Sequence, residues 1–276
     1  MPNSTYSAAS DNAGQMYAVV KSIRAFDKDK VASILSNIIN PSERENCILA
    51  TYYRTAGNID SLLLLDSPKH FQAAAMLARA LFELTVDIKL IDKVHASWLK
   101  MSFFVEVEKL RSARKMIDFA KSNPSRAIDV SSQTQFVANN VRRIEHNHRI
   151  LWPPKVPGAK LPDVKHWSGL HLSKRAQMLG DPFDEMYNCQ YPRLSWFVHS
   201  GLTGVANMPS EFFANMHGFA LGLSISCYST ILETVIHEMK IDIADDKIYK
   251  TLHYAKVLPF TKSPEEEAIL IRELLG

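Results

Sequence analysis

Apolar residues recur three and four positions apart along almost the whole chain, and β-branched runs with strict alternation are hard to find. That period puts apolar side chains on one face of an α-helix, whereas a half-buried strand would alternate. The expected fold class is therefore all-α, a multi-helix bundle. Helices are expected over about 14–25 and about 28–39, the second stopped by Asn40-Pro41. A third starts at Pro41-Ser42 and runs to about Leu65. Ser67-Pro68 is a start signal, because serine can accept from free first-turn amides and proline lacks an N–H that would go unpaired there. A long helix follows it to about Lys93, then others over about 96–121 and 126–149, parted by Asn123-Pro124.

The pattern then breaks. Residues 152–163, WPPKVPGAKLPD, hold four prolines and a glycine, which rules out a helix there. Beyond it, helices are expected near 172–179, over about 182–200 and over about 210–239, with two short ones near 245–256 and 263–275. The Pro-rich loop, 152–165, is the one credible boundary. It divides an N-terminal helical half, 1–151, from a C-terminal half, 166–276, and both halves show broad apolar faces that favour packing as one domain. A loop of this length without structure of its own is often functional.

Composition narrows the classes of function. The 276 residues are 46% hydrophobic and 22% charged, so a sizeable core is available and disorder is not expected. A net charge of +3 does not by itself argue for nucleic acid; only a local basic patch could. Cys47, Cys189 and Cys227 are odd in number and far apart, which fits a reducing, cytoplasmic setting better than a disulfide framework. The opening MPNSTYSAASDNAG lacks the basic and apolar regions of a secretory signal. The stretch Phe212–Leu232 is the most apolar, but Asn215, His217, Ser224, Ser226 and Ser229 interrupt it, so a buried core helix is expected and not a membrane span.

Several chemistries lack their motifs. The chain has no GxxxxGK[ST], GxGxxG, HExxH or GxSxG, and Glu233 and His237 are spaced ExxxH, not the ExxH of a di-iron bundle. No metal and no cofactor are expected.

The segment NCQYPRLSWFVHSG, residues 188–201, is the strongest chemical candidate. Ser195 and His199 lie one helical turn apart on one face, with Tyr191 near the same line. Arg193 and His199 point about 120° apart on an ideal helix, so joining them takes the length of arginine or a second chain. A histidine beside an arginine meets the needs of metal-free RNA cleavage. The imidazole moves protons between the 2′-hydroxyl and the leaving oxygen, and the guanidinium steadies charge on the phosphate. The same residues could instead only hydrogen-bond within a packed bundle.

A second candidate is QAAAMLARALFELTVD, where Gln72, Arg79, Glu83 and Asp87 share one stripe of a central helix. Charged groups in such a setting need partners. An Arg79–Glu83 salt bridge would suffice; alternatively the stripe lines a polar pocket with Ser195 and His199, where Arg79 binds an anion. His166 and Trp167, at the exit of the Pro-rich loop, could stack on a base or simply pin the loop. Arg142, Arg143, His146, His148 and Arg149 form a basic cluster that could meet phosphates, though cations at a helix C-terminus also suit the helix dipole.

The R-x5-H of Arg193 and His199 resembles the R-x4-6-H signature of HEPN-type ribonucleases, toxins and antiviral effectors that act as dimers. By that resemblance these two residues would be the catalytic pair; Leu194 departs from the polar residue usual after the arginine. Over a larger part of its length the chain resembles a prokaryotic family of unknown function, the DUF5677 type, through LARALFEL (77–84), HWSGLHLSKRAQMLG (166–180) and the S-x-x-x-H of Ser195 and His199. Two functions are thus expected in competition. One is a HEPN-like, metal-independent endoribonuclease of a toxin or phage-defence system. It would act as a homodimer on RNA, with an antitoxin or defence partner; Arg193 and His199 would cut, Ser195 would orient or donate, Arg79 would hold phosphate, and Glu83, His166, Trp167 and Tyr191 would line the substrate site. The other is a non-enzymatic helical module that binds a protein or a small ligand.

Overall fold

The computed structural model describes residues 3–156, 159–195, 209–243, 246–258 and 263–275. Every regular element among the described residues is helical. In chain order, α1 is Asn3–Phe26, which continues through a π-turn, Asp27–Ala32, into α2, Ser33–Leu35. Then come α3, Glu43–Leu62; α4, Phe71–Leu90; α5, Ser97–Ser122; and α6, Ser131–Leu151. Next are α7, Leu172–Leu179, and α8, Phe183–Glu185, the latter joined by a π-turn, Met186–Gln190, to α9, Tyr191–Ser195. The long α10, Ser210–Glu238, precedes α11, Asp246–Val257, and α12, Pro264–Leu275. The chain is an all-α helical bundle, as the period of the apolar residues required.

Local chemistry accounts for the boundaries. The first helical run ends at Leu35, short of the residue 39 expected, and the link that follows turns at Asn40, left-handed at φ 54°, a geometry asparagine tolerates. Ser42 caps α3 by accepting from the Glu45 N–H, while the Glu45 carboxylate accepts from the Ser42 N–H at 2.7 Å. Ser67 accepts from Lys69 and opens a short 3₁₀ turn, Pro68–His70, that leads into α4. The helix expected to start near residue 14 instead starts at Asn3, and the break expected between 25 and 28 is a π-turn within a continuous run.

The helices fall into two compact units. The first holds residues 1–90 and 175–276; the second holds 91–174. The Pro-rich loop therefore belongs inside the second unit, not at the boundary between halves, because Trp152 and Val164 join the second unit's own core with Val107, Leu110 and Ile144. In that unit α5 and α6 form an antiparallel pair, and the Trp152 indole N–H donates to the Trp167 carbonyl at 2.9 Å to fasten the loop's two ends.

At the centre of the first unit is α10. It has the length and composition to cross a membrane, with a mean hydropathy of 1.5 over its most apolar window, and 78% of that window is buried inside the protein. It is apolar on every side because α1, α3, α4 and α11 surround it. Two of its hydroxyls are spent on carbonyls: Ser224 donates within its own helix to Ala220 at 2.8 Å, and Ser226 donates across to Lys256 of α11 at 2.7 Å. The smooth face of α4 against it comes from Ala74, Ala75 and Ala78, each fully buried.

One buried ionic cluster also sits in this unit. Asp27, wholly inaccessible, receives the Tyr52 hydroxyl at 2.7 Å, and further hydrogen bonds from the Tyr228 hydroxyl and the Arg24 guanidinium. Arg24 also grips Asp60 with two parallel bonds, at 3.0 and 2.7 Å. Burial, then the Asp27 charge, pushes the Tyr228 phenol well above its ordinary range, so it stays a donor. Nothing in the sequence reading anticipated this cluster.

Candidate functional site

Helix α4 supplies the floor of the candidate site in the first unit. Its stripe behaves as its spacing demands: Gln72, Arg79, Glu83 and Asp87 are all half-buried while the flanking Leu81, Phe82 and Leu84 are buried. The π-turn Met186–Gln190 adds a residue to the ordinary turn and brings Tyr191, the first residue of α9, over that stripe. Such turns are frequent at functional sites.

Tyr191 joins the two charges of α4. Its hydroxyl accepts from Arg79 Nη2 at 2.9 Å and donates to Glu83 Oε1 at 2.9 Å. The Arg79 guanidinium also lies 4.8 Å from the Tyr191 ring centroid, a cation–π distance. Phe82 and Tyr187 flank the same ring, at centroid separations of 5.6 Å each. Burial raises the Tyr191 phenol above its ordinary value; the Arg79 bond opposes this and the Glu83 charge reinforces it. The phenol is therefore a neutral donor at physiological pH, suited to orienting and not to removing protons.

Arg79 and Glu83 do not form the direct i,i+4 salt bridge that their spacing suggested; the phenol stands between them. Arg79 Nε is buried and has no hydrogen-bond partner among the described residues. Further along the stripe, Asp87 pairs with the buried Arg175 of α7. This partner was not foreseen, since nothing in LSKRAQML marks its arginine as inward-facing except its place three residues after Leu172 and four before Leu179.

The remaining residues of the α9 segment are placed as follows. Arg193 is exposed, with its guanidinium 5.8 Å from the Phe219 ring centroid. Ser195 is half-buried and donates to the Tyr191 carbonyl at 3.0 Å, a bond within its own turn. His199 lies outside the described residues. Arg79, Glu83 and Tyr191 thus converge.

His166 and Trp167 belong to the second unit and to its internal packing. His166 Nδ1 lies 2.8 Å from the Ser168 hydroxyl and accepts the Ser168 backbone N–H at 3.2 Å. Trp167 is buried. Both rings pack locally, His166 against Phe104 and Trp167 against His166, which fixes the loop. The basic cluster at the end of α6 is not uniformly solvated either: Arg142, Arg143, His146 and Arg149 are exposed, but His148 is buried against Trp152. Its ring faces inward because the same turn must present Ile144 and His148, four apart, to the core.

Among the described residues, no group of three or more His, Cys, Asp or Glu side chains is placed to hold a metal ion. The cysteines are free thiols, Cys47 and Cys227 buried and Cys189 exposed.

Comparison with curated proteins and with solved structures returned no match. The sequence model of DUF5677, a family of unknown function, matches residues 45–211, a span that includes α4, the Pro-rich loop and α9. The chain belongs to the DUF5677 family.

Proposed function

We propose that the α9 segment is the cutting edge of a metal-independent endoribonuclease of HEPN type, acting as a homodimer in a cytoplasmic toxin or phage-defence system. The observation that carries this reading is the anchoring of Tyr191 by both Arg79 and Glu83. That anchor fixes the start of the R-x5-H segment to the half-buried polar stripe of α4, while Arg193, two residues on, keeps an exposed guanidinium. A rigid base with a solvent-facing cation is what positioning a phosphodiester requires.

In this reading His199 takes the proton of the ribose 2′-hydroxyl and the 2′-oxygen attacks phosphorus. The resulting imidazolium returns that proton to the departing 5′-oxygen as the P–O5′ bond breaks, and a 2′,3′-cyclic phosphate remains. Arg193 neutralises the charge that gathers on the phosphate oxygens. Arg79 holds Tyr191 in place of the phosphate first expected of it.

The test is RNA cleavage by the purified full-length protein in the presence of a metal chelator. His199→Ala and Arg193→Ala should each slow cleavage about a hundredfold or more while the helical circular dichroism signal stays intact. Cleavage that is absent from the wild type, or unchanged in His199→Ala, refutes the reading.

A second reading, a non-enzymatic helical module for a protein or small ligand, draws on two other observations. Ser195 spends its hydroxyl on its own helical turn, and the phenol of Tyr191 is satisfied on both sides. It prevails when the variants above keep wild-type behaviour toward RNA.

A further inference from the structure

The second unit contains a groove of about 550 Å³ that plays no part in the reading above. Three elements wall it: α5 on one side, α6 on the other, and residues 160–163 of the Pro-rich loop across the end. The volume suits a small ligand.

Its charges are unequally satisfied. Arg111 is held by Glu108 and by Asp163, the latter at 3.0 Å, and donates to the Val164 carbonyl; Arg114 is held by Glu145 at 2.7 Å. These pairs are scaffolding. Three further cations line the groove, one from each wall: Lys115 of α5, Arg149 of α6 and Lys160 of the loop. None of the three has an ion pair among the described residues; the Arg149 guanidinium reaches only the Ala159 carbonyl, at 3.5 Å. Asp118 is the one lining carboxylate outside these pairs, so positive charge is left in excess.

His148 adds an independent observation. It lines the groove yet is only 6% exposed, and its Nε2 is buried without a hydrogen-bond partner among the described residues. An unsatisfied buried polar atom is destabilising and in a native protein calls for a reason. Burial first, and the Arg111 charge second, hold this imidazole below its ordinary pKa, so at neutral pH it is a neutral hydrogen-bonding group.

We infer that this groove is a binding site for a small phosphate-bearing molecule, its phosphate held by Lys115, Arg149 and Lys160, with His148 at the wall as the hydrogen-bonding group. The three cations converge on one concavity from three directions, which suits a compact multiply charged group. A nucleic-acid backbone calls instead for a stripe of cations that follows the strand.

The test uses the full-length protein and inorganic pyrophosphate, titrated calorimetrically at low ionic strength with sodium chloride of equal ionic strength as the blank. Pyrophosphate should bind saturably at one site per chain. Each of Lys115→Gln, Arg149→Gln and Lys160→Gln should weaken binding about tenfold, the value of one charge-assisted contact. All three side chains are exposed, so the variants should keep the wild-type circular dichroism spectrum. Absence of saturable binding by the wild type overturns the proposal, and so does equal binding by the triple variant. Binding of single-stranded RNA that depends on these cations, in a protein indifferent to pyrophosphate, overturns it in favour of nucleic acid. Cleavage of RNA by the triple variant should match that of the wild type, which separates this site from the α9 segment.

Discussion

Asp27→Asn tests how the first unit is held together. The substitution keeps size and shape but removes the charge from a carboxylate with no solvent exposure. That carboxylate satisfies three donors at once: Tyr52 on one oxygen, Tyr228 and Arg24 on the other. An asparagine offers one acceptor and places an amide N–H where the second oxygen faces two donors. Arg24 keeps Asp60, but Asp60 is 43% exposed and compensates poorly for a guanidinium that is 9% exposed. Breaking a buried pair by removing one partner costs about 3–5 kcal/mol. For a unit of this size that is roughly 8–15 °C in Tm. Tyr52→Phe removes a single donor and should cost less, about 1.5–3 kcal/mol. The assay is thermal and urea unfolding followed by far-ultraviolet circular dichroism. Three of the four tryptophans, Trp98, Trp152 and Trp167, lie in the second unit, so fluorescence reports mainly on that unit while the dichroism transition reports on both. An Asp27→Asn protein within 1 kcal/mol of the wild type would refute the idea that this cluster secures α1 and α3 to α10.

Three further outcomes are expected. Acid should destabilise the first unit through His217, whose Nε2 lies 3.0 Å from the Leu65 carbonyl and whose Nδ1 is buried without a partner among the described residues. Burial leads the causes that lower its pKa, so the unfolded chain binds the extra proton more readily; this histidine's contribution is complete above the ordinary value of about 6.5 and is lost as pH falls below it. His217→Gln should flatten the stability profile between pH 7 and 5, and an unchanged slope would count against the assignment. Tyr191→Phe removes the hydroxyl between Arg79 and Glu83 and should cost about 1–2 kcal/mol; a double-mutant cycle with Glu83→Gln should show strong non-additivity, and simple addition of the two effects would argue that the phenol does not couple them. Ala127→Gly relieves a left-handed alanine at φ 48° and should raise the Tm of the second unit slightly, by about 0.5–1 kcal/mol in stability; a fall would contradict it.

Most helices were legible because packing leaves its period in the sequence. Pro41-Ser42 and Ser67-Pro68 marked two starts through backbone hydrogen-bonding rules that hold in any context. What escaped was whatever depended on distant partners. Asp27 falls in the gap between the helices expected over about 14–25 and 28–39, yet its tyrosines come from 25 and 201 positions away. The π-turns at 27–32 and 186–190 left no periodic trace, since one extra residue shifts the face without breaking the helix. In the candidate site, the stripe on α4 was legible, and so was the presence of Tyr191. Its insertion between Arg79 and Glu83 was not, because spacing on one helix cannot report a hydroxyl arriving from another. The same limit hid Arg175 beside Asp87.

The chain enters its first unit, leaves it at Leu90, and returns at Arg175. On a ribosome, that order separates two timetables. The second unit is continuous in sequence, and its α5–α6 hairpin can close as soon as residue 174 emerges. Helices α1, α3 and α4 must wait, with Ala13 lacking Gly218 beside it and Phe71 lacking Phe213, until α10 is synthesised more than a hundred residues after α4. Non-local contacts of that kind slow folding and lengthen exposure to aggregation. The nascent protein should therefore depend on chaperones during a defined interval, one that ends only once translation has passed Glu238.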